Sequence, residues 1–162
     1  IENSNLVNIS QVAVEKIKKE LLEILSGKIN EKGAKVDFLF NLTDGRDYLK
    51  VDSEKIFMIL KNLIENGIIY NKNSEPEVIV KVDEKGDRYN ISVEDNGIGI
   101  PIYEQDKIFE RFYRIDKART SNLGGTGLGL SIVKTLIEKC GGGLVIDSIE
   151  GKGTIFSFYI LK

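Results

Sequence analysis

The chain has 162 residues, 41% apolar and 30% charged, which is the balance of a folded globular protein of one-domain size rather than a disordered segment. Its formal net charge is -2, and it contains one cysteine and no histidine. These figures argue against a nucleic-acid partner, which needs a basic face. They exclude an internal disulfide and any mechanism built on an imidazole of this chain, whether a Ser-His-Asp relay or a histidine-ligated zinc.

No apolar run approaches the roughly 20 residues of a membrane span, and no signal-peptide pattern opens the chain. Membrane insertion by this stretch is therefore not expected. The lone Cys140 beside a glycine run fits a reducing, cytoplasmic setting and reads as structural. The chain opens on Ile1 rather than Met, as expected of a piece of a longer protein.

In chain order, residues 6–9 read as a short edge strand. Residues 11–31 read as a helix with Val14, Ile17, Leu21, Ile24 and Leu25 on one face and Gly33 as its stop. Residues 35–42 alternate through Val36, Phe38 and Phe40 and predict a strand. A turn at Thr43-Asp44-Gly45 leads to a short strand over 48–51. Asp52-Ser53 offers a helix N-cap, and the helix runs to about Asn71 with Ile56, Ile59, Leu60, Leu63 and Gly67 inward. Residues 77–82 and 89–93 alternate around Lys85-Gly86-Asp87 and predict a hairpin. A glycine-rich loop covers 95–101, a short amphipathic helix 107–114, and an aperiodic polar loop 115–125. A further helix over 127–139 ends at Gly141-Gly142-Gly143, and strands over 144–149 and 154–160 form a final hairpin. Antiparallel hairpins separated by helices point to two layers rather than a doubly wound parallel sheet.

Four stretches carry chemistry. Asn62, Asn66 and Tyr70 lie four apart and share a helix face. Asparagine is a poor helix-interior residue, so two on one face suit amide oxygens aimed at a hard cation such as Mg²⁺, or else a solvated polar face. Glu94-Asp95-Asn96-Gly97-Ile98-Gly99-Ile100-Pro101 follows a strand. Its alternating glycines allow close backbone approach to a flat ligand, and a strand-end carboxylate suits an adenine amino group; a plain tight turn is the other reading. Gly124-Gly125-Thr126-Gly127-Leu128-Gly129-Leu130 opens a helix and offers backbone N–H groups to phosphate, or is a hinge. It matches neither the P-loop nor the Rossmann spacing. Gly151-Lys152-Gly153-Thr154 is by itself only a turn.

Taken in order, these stretches resemble the N, G1, G2 and third glycine boxes of the sensor histidine kinase catalytic domain. That domain belongs to an ATPase superfamily shared with gyrase B, a mismatch-repair protein and a heat-shock chaperone. Lys107-Ile108-Phe109-Glu110-Arg111-Phe112-Tyr113-Arg114 resembles its F box. The resemblance covers nearly the whole chain. It implies an α+β fold: a two-layer α/β sandwich of the Bergerat type, with a mixed, mostly antiparallel sheet on three main helices. It implies a single domain over 1–162, a lid over about 115–126, and a dimerisation and phosphoacceptor domain that lies outside this stretch.

By the same resemblance, ATP and Mg²⁺ are the expected ligands. Asn66 would bind the metal, with Asn62 and Tyr70 lining the site. Asp95 would recognise adenine, Gly97 and Gly99 would give the ring room, and Ile100 and Thr154 would lie against the nucleotide. Gly125, Thr126, Gly127 and Leu128 would cover the phosphates, and Arg114 would reach them. Phe109 and Phe112 would anchor the lid, meet the partner domain or simply pack in the core. Asn66 and Arg114 are the expected catalytic residues.

In the ATP-hydrolysing relatives, a glutamate stands where this chain has Asn62, and an amide is no base. Glu65 is turned about 100° from Asn66 on the helix. The resemblance therefore implies a kinase that passes the γ-phosphoryl group to a histidine on the separate dimerisation domain, with a response regulator downstream. The chain departs from the family at Ile69, where many members have lysine, and at Gly67, where alanine is more usual and glycine costs helix propensity. Lys72, Lys117 and Arg119 are the candidates to replace the missing cation. The rival readings are a gyrase-type ATPase, a serine kinase of the anti-sigma class, and a degenerate module that docks on a helix bundle.

Overall fold

The computed structural model describes residues 6–111, 113 and 129–162. The lid over 115–126 and the residues Phe112, Arg114, Gly125, Thr126, Gly127 and Leu128 lie outside these.

Strand β1 (Ile9–Ala13) pairs antiparallel with β3 (Tyr48–Asp52), with Val12 opposite Leu49 and both buried. This pairing corrects two expectations: the first strand is not 6–9, and the helix does not begin at 11. Helix α1 (Val14–Ile24) buries Val14, Ile17 and Leu21, but Ile24 is exposed. The predicted single helix is broken at Leu25, and α2 (Ser26–Lys32) follows. The Ser26 hydroxyl donates to the Glu23 carbonyl at 2.9 Å, and Gly27 stands next to it. Serine back-bonding beside a glycine is a known cause of a kink. Helix α2 stops at Gly33, whose φ of 62° is left-handed, while Ala34 N–H bonds the Ile29 carbonyl at 2.9 Å.

The main sheet has five strands in the order β2-β4-β5-β7-β6. They are β2 (Lys35–Asn41), β4 (Glu77–Lys85), β5 (Arg88–Asp95), β6 (Gly143–Ile149) and β7 (Gly153–Leu161). Only β2 and β4 run parallel, which requires the long crossover through β3 and α3. Alternation puts Val78, Val80, Ile91, Val93, Phe156 and Phe158 on one face, all buried. Helix α3 (Ser53–Ile69) lies against that face and touches α1, α2, β4 and β5. Its cap is Asp52, which accepts from Lys55 N–H at 3.2 Å. The last helix, α4 (Gly129–Lys139), packs on α3 through Val133 and Ile137. Helices on one side and a mostly antiparallel sheet on the other make the expected two-layer sandwich.

The short helix expected over 107–114 is absent from its described residues. A 3₁₀ turn, Ile102–Glu104, precedes a run of i to i−3 bonds: Lys107 N–H to Glu104 O, Glu110 N–H to Lys107 O and Tyr113 N–H to Glu110 O. Tight turns suffice here because they sink Ile108 and Phe109 into the core. The Phe109 ring meets Phe156 edge-on and packs against the core.

Helix α4 ends in a tighter constraint. Gly141 has φ 75°, and Gly142 N–H bonds the Ile137 carbonyl at 3.0 Å. A Cβ on Gly142 would stand 1.7 Å from the Tyr159 carbonyl oxygen. Gly27, by contrast, has nothing within 4 Å of where a Cβ would be. Gly142→Ala is therefore expected to lower unfolding free energy by at least about 2 kcal/mol. Gly27→Ala should raise it by about 0.5 kcal/mol. Urea denaturation of the two variants checks this, and similar shifts for both would refute the steric account of the helix stop.

Candidate functional site

The site is built on the last turns of α3. Asn62, Asn66 and Tyr70 are half-buried on one face, as their spacing requires. Asn62 Nδ2 donates to the Met58 carbonyl at 2.8 Å, which fixes the amide and leaves its oxygen outward. That oxygen lies 3.2 Å from where a Cβ on Gly129 would stand. The asparagine face thus reaches the first residue of α4, where the third chemical stretch enters its helix. Asn66 lies one turn on from Asn62 along the same half-buried face.

Glu65 is not a base in waiting. Its carboxylate meets Lys28 Nζ at 2.7 Å and Lys61 Nζ at 3.4 Å. Burial pushes its pKa up, but the two lysines outweigh burial and hold it below the ordinary value. Ile69, at the last residue of α3, is buried at 7% exposure. Lys72 lines a cleft with Asn73, Gly97, Ile98 and Glu150, at the opposite end of the face from Asn62. Lys117 and Arg119 lie outside the described residues.

Asp95 ends β5, opposite Thr154 on β7. It sits against α3 at Gly67, where a Cβ would come within 3.0 Å of both Asp95 Cβ and Val78 Cγ2. Glycine at 67 is therefore more than a loss of helix propensity; it leaves room for the carboxylate. Gly97 N–H donates to Asp95 Oδ1 at 2.8 Å. Burial raises the Asp95 pKa from its ordinary 3.8 to about 6, against the pull of the Gly97 and Thr154 N–H groups and with a further push from Glu94.

The glycines bring backbone to backbone. A Cβ on Gly97 would lie 2.5 Å from the Tyr70 carbonyl oxygen, and one on Gly99 (φ 71°) 2.2 Å from that of Ile149. Ile98 N–H bonds the Tyr70 carbonyl at 3.0 Å, and Gly151 N–H bonds the Ile98 carbonyl at 2.8 Å. The glycine loop is thereby stitched to α3 on one side and to the last hairpin on the other. Thr154 is buried, with its hydroxyl 2.8 Å from Ser148 Oγ. Ser148 Oγ also accepts from the N–H of Ile100, itself buried, at 2.8 Å and donates to the Gly153 carbonyl at 3.0 Å.

The described residues thus bring Asn62, Asn66, Tyr70, Asp95, Gly97, Gly99, Ile100 and Thr154 to one end of the sheet. Sequence reasoning missed Ser148, Gln105, Asn71 and Asn96. Gln105 Nε2 donates to the Ile100 carbonyl at 3.0 Å, and Asn71 donates to Asn96 at 2.8 Å. Asn71 and Ser148 meet partners 25 and 48 residues away, and Gln105 bridges Ile100 to the Ser148 carbonyl, 43 residues on, so nothing local marks them. No group of three or more His, Cys, Asp or Glu side chains is placed to hold a metal among the described residues. The amide oxygens of Asn62 and Asn66 are hard donors of the kind a hard cation takes.

An ionised Asp95 costs on the order of 3 kcal/mol of stability at pH 7, because its folded pKa of about 6 exceeds the unfolded value. The folded state binds the extra proton between about pH 4 and 6, so stability falls as pH rises through that window. Asp95→Asn keeps the acceptor for Gly97 N–H and removes the charge. It should unfold at a higher temperature than the parent at pH 7, with the gap closing below about pH 4. Thermal unfolding across pH checks this; a variant less stable than the parent at pH 7 contradicts it.

Residues 51–162 match the model of the family described as Histidine kinase-, DNA gyrase B-, and HSP90-like ATPase. The chain is 46% identical over 124 residues to the sensor histidine kinase WalK of Bacillus subtilis (strain 168), covering 76% of this chain and 20% of that protein. It is 40% identical over 147 residues to the sensor protein kinase WalK of Staphylococcus haemolyticus, covering 86% and 24%. The chain thus spans about a fifth to a quarter of the length of these relatives. Among solved structures it resembles full-length ShkA in complex with AMPPNP, with a TM-score of 0.78 and 25% identity over 96% of this chain and 31% of that one. It also shares the fold of the catalytic domain of histidine kinase ThkA, with a TM-score of 0.74 at 24% identity, covering 96% of each chain. Among the described residues, no helix is long and apolar enough to cross a membrane. By the match over its larger part, the chain belongs to the histidine kinase-, DNA gyrase B- and HSP90-like ATPase family.

Proposed function

We propose that this chain is the ATP-binding catalytic domain of a sensor histidine kinase. It binds Mg-ATP and passes the γ-phosphoryl group to a histidine on the dimerisation domain of the same protein, from which a response regulator takes it. The observation that carries the reading is a half-buried carboxylate, Asp95, packed against Gly67 of α3, with the Asn62 amide oxygen five residues earlier on the same helix beside Gly129 of α4. Asn62 and Tyr70 are eight residues apart, about 12 Å along the helix. Adenine lies at the Asp95 end, where its amino group donates to the carboxylate. The phosphates lie toward Asn62, Asn66 and the start of α4, whose N–H groups favour anions.

In the transfer, the bond from the γ-phosphorus to its bridging oxygen breaks, a bond from that phosphorus to an imidazole nitrogen forms, and ADP leaves. Such a step asks for positioning and charge neutralisation more than for a base. Asn66, with Asn62 beside it, would hold the Mg²⁺ that neutralises the phosphates. Asn62 cannot deprotonate water, and Glu65 is held by two lysines, so neither supplies a base for hydrolysis. The chain has no histidine, so the acceptor comes from elsewhere. Arg114 and residues 125–128 belong to the same reading as phosphate contacts, and 115–126 as the lid. The relatives named as sensor kinases and the AMPPNP complex of ShkA support this assignment.

Titration calorimetry with AMPPNP tests it. Saturable binding is expected, strengthened by Mg²⁺, and Asn66→Ala should lose that strengthening while binding as the parent does in EDTA. Asn30→Ala, on α2, should keep it. Adding the histidine-bearing dimerisation domain of the parent protein should give phosphotransfer; tight docking without transfer favours a non-catalytic module, and no nucleotide binding refutes the proposal.

A further inference from the structure

The G1 loop is tied to the end of α3 by side-chain amides that no phosphate or base contact requires. Asn71, two residues past α3, is buried at 3% exposure. Its Nδ2 donates to the Gly67 carbonyl at 3.1 Å and to Asn96 Oδ1 at 2.8 Å. Asn96 Oδ1 also accepts from Glu77 N–H at 2.8 Å, and its Nδ2 donates to the Glu75 carbonyl at 3.1 Å. Asn73 closes the knot: its N–H donates to Asn71 Oδ1 at 2.9 Å, and its Nδ2 to the Asn96 carbonyl at 2.8 Å.

Backbone partners fix the polarity of both amides. Asn71 must present its nitrogen to the Gly67 carbonyl, and Asn96 must present its oxygen to the Glu77 N–H. The knot therefore holds Asn96 from its side chain and from its carbonyl. Asn96 sits between Asp95 and Gly97, and Gly97 N–H is the backbone donor on the Asp95 carboxylate. Gly67, whose carbonyl Asn71 holds, is the glycine on which Asp95 rests.

We infer that Asn71, acting through Asn96, is a positioning residue for adenine recognition: it holds the Asp95 carboxylate at the place where a purine amino group donates to it. This rests on the reading of Asp95 as the adenine acceptor. Adenine presents a donor at its 6-position and guanine an acceptor, so a fixed carboxylate discriminates between them and a displaced one does not. Loss of discrimination is the signature that separates positioning from mere support of the fold, which would weaken both nucleotides equally.

The test is the ratio of ATP to GTP affinity in Mg²⁺ at pH 8, where Asp95 is ionised, measured by competition against a fluorescent ATP analogue at a temperature where each variant is folded. Asn71→Asp sets an acceptor against the Gly67 carbonyl and Asn96 Oδ1, and should lower the ratio about ten-fold. Asn30→Ala, on α2 and outside the knot, should hold the ratio within about two-fold. Asn73→Ala, at an exposed residue that will not unfold the chain, should lower it about three-fold. An unchanged ratio in Asn71→Asp and Asn73→Ala, or a loss in Asn30→Ala equal to that in Asn71→Asp, overturns the inference. Asp95→Asn is the separate control: if that variant still prefers ATP, the adenine reading itself fails, whatever Asn71 does.

Discussion

Placing a carboxylate against apolar side chains, with no cation beside it, works against folding unless something else requires it. Asp95 is such a group: burial lifts its pKa to about 6, and only backbone N–H groups from Gly97 and Thr154 oppose the lift. Much of the surrounding sequence exists to make that placement possible. Gly67 removes the Cβ that would crowd it from α3. Gly97 keeps its loop flat on the Tyr70 carbonyl, and a Cβ on Gly153 would lie 2.1 Å from the carbonyl oxygen of Asp95 itself. An unligated, destabilising acceptor is what a binding site for a donor-bearing base needs, because the donor relieves it.

The other end of α3 solves a different problem. Holding a triphosphate asks for amides and N–H groups, and keeping it from water asks that no free base lie near. Asn62 and Asn66 are amides, and Glu65, the nearest carboxylate in sequence, is bound to Lys28 and Lys61. The two ends share one rigid helix whose inner face is locked into the core by Leu60, Leu63, Ile64 and Ile68. The proposed adenine and phosphate contacts would thereby be held at a fixed separation.

Local periodicity carried most of the fold. The alternation in β4, β5 and β7 and the stripe on α3 are visible in the chain, and so are the stops at Gly33 and Gly141. Failures came where tertiary context overrode local pattern. Residues 11–13 carry no strong preference, and pairing with β3 decided them as strand. Leu25 looked like one more helical residue until Ser26 took the Glu23 carbonyl. Residues 107–111 have helical spacing but only enough length for tight turns. In the candidate site, the shared face of Asn62, Asn66 and Tyr70 and the strand-end place of Asp95 were legible, because helical spacing and strand alternation fix them locally. Ser148 and Asn71 were not, because their partners lie 48 and 25 residues away. Gly97 and Gly99 were legible as glycines that matter, though the contacts that need them are with Tyr70 and Ile149 of the protein itself.

The central claim is that Asp95 is a strained acceptor in the free protein and a satisfied one when adenine is bound. Carbon-13 NMR of the Asp95 side-chain carboxyl, titrated in pH with and without AMPPNP, measures this directly. The free protein should titrate near pH 6, and the nucleotide should move that midpoint down, since a donated hydrogen bond favours the ionised form. An ordinary midpoint near 3.8 in the free protein, or one that nucleotide leaves in place, would contradict the account.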